Sequence, residues 1–194
     1  MDAVKAIERD HRVLESLYNE LGAGKPRQRE LIAEIEARLQ AHSRAEEAEV
    51  YPALAEADPS ERGEVHHGVE EHREAEEKLR RAEQAIGSDG YDDAVGEFVS
   101  AISHHVEEEE SDILPALKEA VSAARLRELG EAFTRRRESE LSAAGIEDTG
   151  SRGDDRKGGD EDVTRQDLYR RAQKEDVHGR SDMTKDELRR ALDD

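Results

Sequence analysis

Apolar side chains return along this chain every three or four residues, in runs parted by short polar breaks. Val4, Ile7, Val13, Leu14, Leu17 and Leu21 make the first run, and "GAGKP" follows it. Residues three and four apart share a helix face, so this spacing predicts an amphipathic helix with a glycine and proline stop. A second run begins near Arg27 with Leu31, Ile32, Ile35 and Leu39, continues through His42 and Glu46 toward Pro52, and is closed by "ADPSERG". A third helix is expected over residues 64 to 86, ending at "GSDG". The fourth starts near Tyr91, carries Val95, Phe98, Val99, Ile102 and Val106 on its stripe, and reaches Pro115 and Leu117. Long helices with short connections predict an all-α antiparallel up-down four-helix bundle. A fifth helix over residues 123 to 141, with Leu126, Leu129 and Phe133 in register, is expected to pack outside the bundle, closing a domain of residues 1 to 144.

The pattern then fails. Residues 145 to 163, including "GIEDTGSRGDDRKGGDED", have glycine and charge with almost nothing to bury, which predicts a flexible linker. Residues 164 to 194 offer two short helices, with Leu168 and Ala172 on one and Leu188 and Leu192 on the other, joined by "VHGRSDM". This segment is similar to the small helical modules of the SAP and Rho N-terminal type, relatives of which often touch nucleic acid. It holds eight Lys or Arg against eight Asp or Glu, so the basic excess that drives phosphate contact is missing. A small interaction or stability appendage is the simpler expectation, and Arg180 and Lys185 are the residues to test for nucleic-acid contact.

Composition sharpens the picture. Charged residues are 41% of the chain, hydrophobic ones 34% and aromatic ones 3%, with a net charge of -20. Helices of this kind bury a narrow apolar stripe and solvate the rest. So acidic a surface repels nucleic acid and anionic membranes over most of its area. The absence of cysteine excludes disulfides, thiolate-bound zinc, iron-sulfur clusters and thiol catalysis, so any metal must sit on His, Glu, Asp or Tyr. The first residues lack the pattern of a secretion signal and no apolar run has membrane-spanning length, so a soluble, cytoplasmic protein without membrane partners is expected.

The chemistry lies in an internal repeat. "HSRAEEAEVYPAL" recurs as "HVEEEESDILPAL", superposing His42, Glu46 and Pro52 on His105, Glu109 and Pro115 without a gap. "RDHRVLE" likewise corresponds to "EEHREAE", placing His11 on His72. Two helical hairpins related by a pseudo-twofold follow. Positions i and i+4 differ by only about 40° around a helix, so each His-x3-Glu pair leaves one face together. If these pairs and the two earlier histidines face inward, four imidazoles and two carboxylates converge, and two cations are their natural occupancy. Histidines carried by chance on solvent faces are the competing explanation, but an outward face has no reason to preserve gapless spacing. Imidazole and carboxylate donors without thiolate suit iron, manganese or zinc, and carboxylates able to bridge favour iron.

These segments, in this order, resemble the hemerythrin-like, or HHE cation-binding, domain over about residues 1 to 140. The resemblance implies a bundle with a non-haem centre of two iron ions, Fe2+ or Fe3+, bridged by an oxo or hydroxo group. It implies Glu46 and Glu109 as bridging carboxylates, His11 and His42 on one iron, and His72 and His105 on the other.

The chain departs from that pattern at one position. Oxygen-carrying hemerythrins have a further histidine one turn before the one matching His72, and Gly68 stands there. His66 and His67 are displaced by about 120° to 140° from His72 around an ideal helix, so His67 reaches the centre only through a local distortion. Tyr51 is the other candidate. On a straight helix it lies about 180° from His42, but the following proline is expected to push it out of the α region and deform the turn. A phenolate there would stabilise ferric iron; the alternative is an aromatic packing residue, since Leu114 fills the matching slot. Glu47, Glu108, Glu110 and His104 fall off the inward direction and are expected in solvent or supporting the ligands.

The leading expectation is a di-iron protein that binds or reacts with O2, NO or H2O2 in the response to, or sensing of, oxidative or nitrosative stress, with catalase-like or peroxidase-like turnover left open. Iron storage or buffering, or a structural regulatory bundle whose C-terminal module binds a protein or nucleic acid, are the alternatives.

Overall fold

In the computed structural model, residues 1–23, 27–148 and 189–192 are described. Contacts divide the chain into Met1–Arg152 and Gly153–Asp194. In the first unit, α1 (Ala3–Gly22) and α2 (Gln28–Ala45) form one hairpin. A π-helical turn, Glu46–Val50, carries α2 into α3 (Tyr51–Ala57), and a short 3-10 turn, Pro59–Glu61, leads into α4 (Arg62–Ala85). The second hairpin is α4 with α5 (Tyr91–Glu108), which passes through a second π-helical turn, Glu109–Ile113, into α6 (Leu114–Ala120). Helix α7 (Ala123–Ala143) follows and packs on α1 and α2. The described residues bear out an all-helical bundle.

The apolar stripes meet in two clusters. One holds Leu14, Tyr18, Leu39, Leu79, Phe98 and Ile102; the other holds Ile7, Val50, Tyr51, Leu54, Leu117 and Phe133. On α1, His11 falls between Ile7 and Leu14; on α2 and α5, His42 and His105 fall just beyond the residues given to the first cluster. The polar groups thus interrupt each stripe at one level, and the two apolar clusters close over them.

The two π turns occupy equivalent places in the repeat. The Tyr51 backbone N–H donates to the Glu46 carbonyl and that of Leu114 to the Glu109 carbonyl, five residues back in each case. Pro52 and Pro115 explain the shift, because each lacks an N–H and its ring crowds the carbonyl four residues earlier. Widening the preceding turn by one residue relieves that crowding. The expected escape of Tyr51 from the α region does not occur: its φ of -60° and ψ of -43° are helical. The distortion sits in the hydrogen-bond register instead.

Residues 145–148, placed by the sequence in the linker, are held to the bundle. The buried Arg38 donates to the Glu147 carbonyl at 3.2 Å, and Arg137 pairs with Asp148 at 3.0 Å. In the second unit the described residues, 189–192, are helical; the rest of the expected C-terminal module, Arg180 and Lys185 included, lies outside the described residues.

Candidate metal centre

His11, His42, His72 and His105, one from each bundle helix, are buried together with Glu46 and Glu109. Both glutamates are the first residues of the π turns, at the same height in the two halves. His11 Nε2 lies 3.1 Å from Glu109 Oε2, and His42 Nε2 lies 3.1 Å from Glu46 Oε2. His72 Nε2 lies 3.3 Å from Glu46 Oε2 and 3.1 Å from His105 Nε2, while His105 Nε2 is 4.0 Å from Glu109 Oε2. The rings pair as His11 with His42 and His72 with His105, their centroids 4.9 and 4.5 Å apart. Two overlapping donor groups result: His42, Glu46, His72 and His105, and His11, His42, Glu46 and Glu109.

The outer nitrogen of every imidazole meets a carboxylate. His42 Nδ1 is 3.0 Å from Asp10 and His105 Nδ1 is 3.0 Å from Glu71, each within its own hairpin. His11 Nδ1 is 2.8 Å from Glu110 and His72 Nδ1 is 3.2 Å from Glu47, each across to the other hairpin. An ionised carboxylate can only accept, so Nδ1 donates to it, and Nε2 is the nitrogen turned inward, whose lone pair a metal would take in place of a proton. The supporting carboxylates obey the same pseudo-twofold as the imidazoles. Asp10 and Glu71 directly precede His11 and His72, and Glu47 and Glu110 directly follow Glu46 and Glu109. Glu47 and Glu110 stand as expected beside the inward groups; Asp10 and Glu71 were missed, although "RDH" and "EEH" display them.

Electrostatics asks for cations at this point. Arg137 pairs with Asp10 at 2.6 Å and Arg12 with Glu110 at 2.8 Å. The remaining carboxylates that touch the imidazoles are Glu46, Glu47, Glu71 and Glu109, whose negative charge two divalent ions would balance. In the protein alone, burial works against the charged form of Glu46, yet the facing His42 and His72 outweigh it and hold its carboxyl well below the usual range. Burial likewise lowers His42, but Glu46 and Asp10 hold it well above an ordinary imidazole; His72, between Glu46 and Glu47, is pushed up to about 9. His105 is lowered, first by burial and then by the neighbouring His72.

The donor set fits a metal on a further observation. The Nε2 atoms of His11 and His42, both oxygens of Glu46 and Oε2 of Glu109 are buried without a hydrogen-bond partner. Such atoms are costly to bury unless something satisfies them. Short distances without hydrogen-bond alignment are what groups aimed at a common third body present.

Tyr51 joins this cluster. The π turn absorbs about one residue of rotation, roughly 100°, and so swings Tyr51 from the far side of the helix toward the centre. Its hydroxyl donates to Glu109 Oε1 at 3.1 Å, and its ring stacks on His72 with centroids 5.7 Å apart. Burial first, then the charges of Glu109 and Glu46, raise this phenol well above its ordinary pKa. Gly68 makes room for it: a Cβ there would lie 2.9 Å from the Tyr51 hydroxyl and 3.4 Å from Ile113. His67 is not brought into the cluster. Its side chain is 53% exposed on the outer side of α4, beside Glu71 and Glu108. No distortion of α4 turns it inward; the helix is regular through this stretch.

Comparisons with known proteins place the fold. Among solved structures, the crystal structure of a hemerythrin HHE cation binding domain-containing protein from Mycobacterium kansasii is similar to this chain. It superposes with a TM-score of 0.65 at 26% identity, over 74% of this chain and 89% of the other. No curated protein matches the chain. A family model for the hemerythrin HHE cation binding domain matches residues 2–117, which span α1 to α6 with every histidine and glutamate of the buried cluster. The chain therefore belongs to the hemerythrin HHE cation binding domain family.

Proposed function

We infer that this protein holds two iron ions on His11, His42, Glu46, His72, His105 and Glu109, and uses them to bind or react with a small oxidant, O2, NO or H2O2. The observation that carries this reading is the set of inward Nε2 atoms, each ring fixed by a carboxylate on Nδ1, around three carboxylate oxygens of Glu46 and Glu109 that are buried without a hydrogen-bond partner. Iron bound there supplies redox change and an acidic cation able to polarise a small oxygen or nitrogen ligand. The residues supply the remainder. The four supporting carboxylates fix tautomer and ring orientation. The two apolar clusters limit access of bulk water. Tyr51 brings a phenol to the place where oxygen-carrying relatives present an additional imidazole, available as a ferric ligand or as a proton donor beside Glu109.

A direct test is to purify the protein aerobically, quantify metal, record the visible spectrum and add peroxide. Two irons per chain with oxygen evolution supports turnover; two irons without it supports binding or sensing; a chain that takes up no iron overturns the reading. A phenolate-to-iron absorption band lost in Tyr51→Phe identifies Tyr51 as a ligand.

Sensing has an observation of its own. Arg137 touches both Asp10, which orients His42, and Asp148, at the end of the described bundle residues. A change in charge at the centre thus has a two-contact path to the start of the C-terminal segment. Truncation after residue 148 should leave the metal spectrum intact and abolish a partner interaction if the protein signals; unchanged partner binding by the truncated chain removes the sensing reading.

A further inference from the structure

The second hairpin carries a group of donors outside the buried centre, which it meets only through the Glu71 oxygen on His105. His67 and Glu71 on α4, and His104 and Glu108 on α5, repeat the His-x3-Glu spacing on the outer side of the hairpin. His67 Nε2 lies 3.5 Å from Glu108 and 3.7 Å from Glu71; His104 Nε2 lies 3.2 Å from Glu108 and 3.9 Å from Glu71. Donor atoms of His67, Glu71 and Glu108 all fall within 4.8 Å of one another. Two ligands of a tetrahedral ion with bonds of about 2.1 Å stand about 3.4 Å apart, inside the range these contacts span. The two imidazoles are open to solvent, whereas the Glu71 side chain is only 10% exposed.

The internal repeat supplies a second and independent argument. With His72 superposed on His11 and His105 on His42, Glu71 falls on Asp10, His67 on Ala6, His104 on Ala41 and Glu108 on Ala45. In the first hairpin those three alanines are buried. Asp10 there gives Oδ2 to His42 Nδ1 at 3.0 Å and Oδ1 to the Arg137 guanidinium of α7 at 2.6 Å. The carboxylate that orients the imidazole thus has a fixed positive charge on its outer oxygen. In the second hairpin Glu71 gives Oε2 to His105 Nδ1 at 3.0 Å, and its outer oxygen, Oε1, faces His67 and His104. Three alanines have become two imidazoles and a carboxylate around the point where the other half keeps its guanidinium.

We propose that this point is a second metal site: a divalent transition-metal cation of the zinc class, held by His67, Glu71 and Glu108, with His104 beside it on α5. Imidazole and carboxylate oxygen donors in a solvent-accessible cluster suit such an ion, and a thiolate is not required. The bound cation does for Glu71 and His105 what Arg137 does for Asp10 and His42, so one half of the centre is braced by a permanent charge and the other by an exchangeable one. Occupancy of the outer site then tunes the basicity of His105 through a single shared carboxylate.

The test is equilibrium dialysis of the full chain, loaded with iron and freed of excess, against increasing Zn2+, with both metals quantified. Wild-type protein should take up one zinc per chain while retaining its iron. His67→Ala/Glu108→Gln should lose that zinc, with affinity weaker by roughly tenfold or more, at unchanged iron content and, in the absence of zinc, unchanged melting temperature. His66→Ala is the control, since its exposed ring lies 3.6 Å from Glu70 and outside the cluster; it should bind zinc as wild type does. The difference of one zinc between wild type and the double variant reads the outer site whatever the buried centre holds. Equal zinc binding by the double variant, zinc that enters only by displacing iron, or no zinc uptake overturns the proposal.

Discussion

The Tyr51 hydroxyl lies 2.9 Å from the point where a Cβ on Gly68 would be, so the tyrosine occupies space that only glycine leaves open. In the other half of the repeat the matching residues are Leu114 and Ile7, both buried in one apolar cluster. A large residue with a small one on one side thus answers two of middle size on the other. Gly68→Ala should displace the phenol, break its bond to Glu109 and destabilise the fold by about 1–3 kcal/mol. Tyr51→Leu/Gly68→Ala should be less destabilised than the sum of its single variants, because the two residues share one space. Urea denaturation of the four proteins measures the coupling, and strict additivity would show that the residues do not compete.

Removal of the supporting carboxylates should weaken metal retention without removing a ligand. Asp10→Asn and Glu71→Gln are each expected to lower iron affinity by about 10- to 100-fold, since an amide no longer fixes the tautomer of the imidazole it touches. Iron remaining after dialysis against a graded series of chelators gives the number. Retention equal to wild type in both variants would mean that the Nδ1 contacts do not orient the ligands.

Metal removal should cost stability. An ion bound by the native state alone contributes about 2.7 kcal/mol when its concentration is a hundred times its dissociation constant. Chelator should therefore lower the melting temperature of the wild-type protein, and should have little effect on Glu46→Gln/Glu109→Gln, which has lost both central carboxylates. Calorimetric scans with and without chelator make the comparison.

Gly130 is where α7 passes the start of α1. A Cβ at this position would stand 2.6 Å from the Met1 carbonyl oxygen and 2.7 Å from the Ala3 nitrogen, backbone atoms that can give way only if α1 moves. Gly130→Ala should cost about 1–3 kcal/mol. The same substitution at Gly96, with nothing within 4 Å of its Cβ, should be neutral or slightly stabilising, as alanine favours a helix interior. Equal effects at the two positions in thermal melts would argue against the close approach.

Tyr18 offers a pH signature away from the centre. Burial, then the charge of Glu15, pushes its phenol up to about 12. Because the folded value is the higher one, its stabilisation is complete below the unfolded value near pH 10 and is lost as pH rises toward 12. An ultraviolet titration should show Tyr18 ionising late, and Tyr18→Phe should remove part of the alkaline loss of stability.

The helices and the inward histidines were legible because burial imposes a period, and the repeat wrote that period twice. His42 with Glu46 and His105 with Glu109 needed only four-residue spacing. Tyr51 was harder. Proline marked a disturbance, yet its effect was a shift in hydrogen-bond register, which depends on packing around the turn and leaves Tyr51 itself helical. Asp10 and Glu71 were visible in the aligned repeat but carried no distinguishing mark in a chain with 50 acidic residues. Residues 145–148 read as linker because glycine and charge bury little, while the guanidiniums that hold them come from Arg137 on the preceding helix and from Arg38, far away in sequence, and neither pairing leaves a mark in the local pattern.

The crossed contacts, His11 to Glu110 and His72 to Glu47, mean that neither hairpin completes the surroundings of its own imidazoles. Two separate copies of one hairpin could build the same scaffold only as a symmetric pair, with the tyrosine and glycine present twice or not at all. A continuous chain can place them once. The two halves of its buried donor cluster are therefore chemically inequivalent, and the cluster has a front and a back.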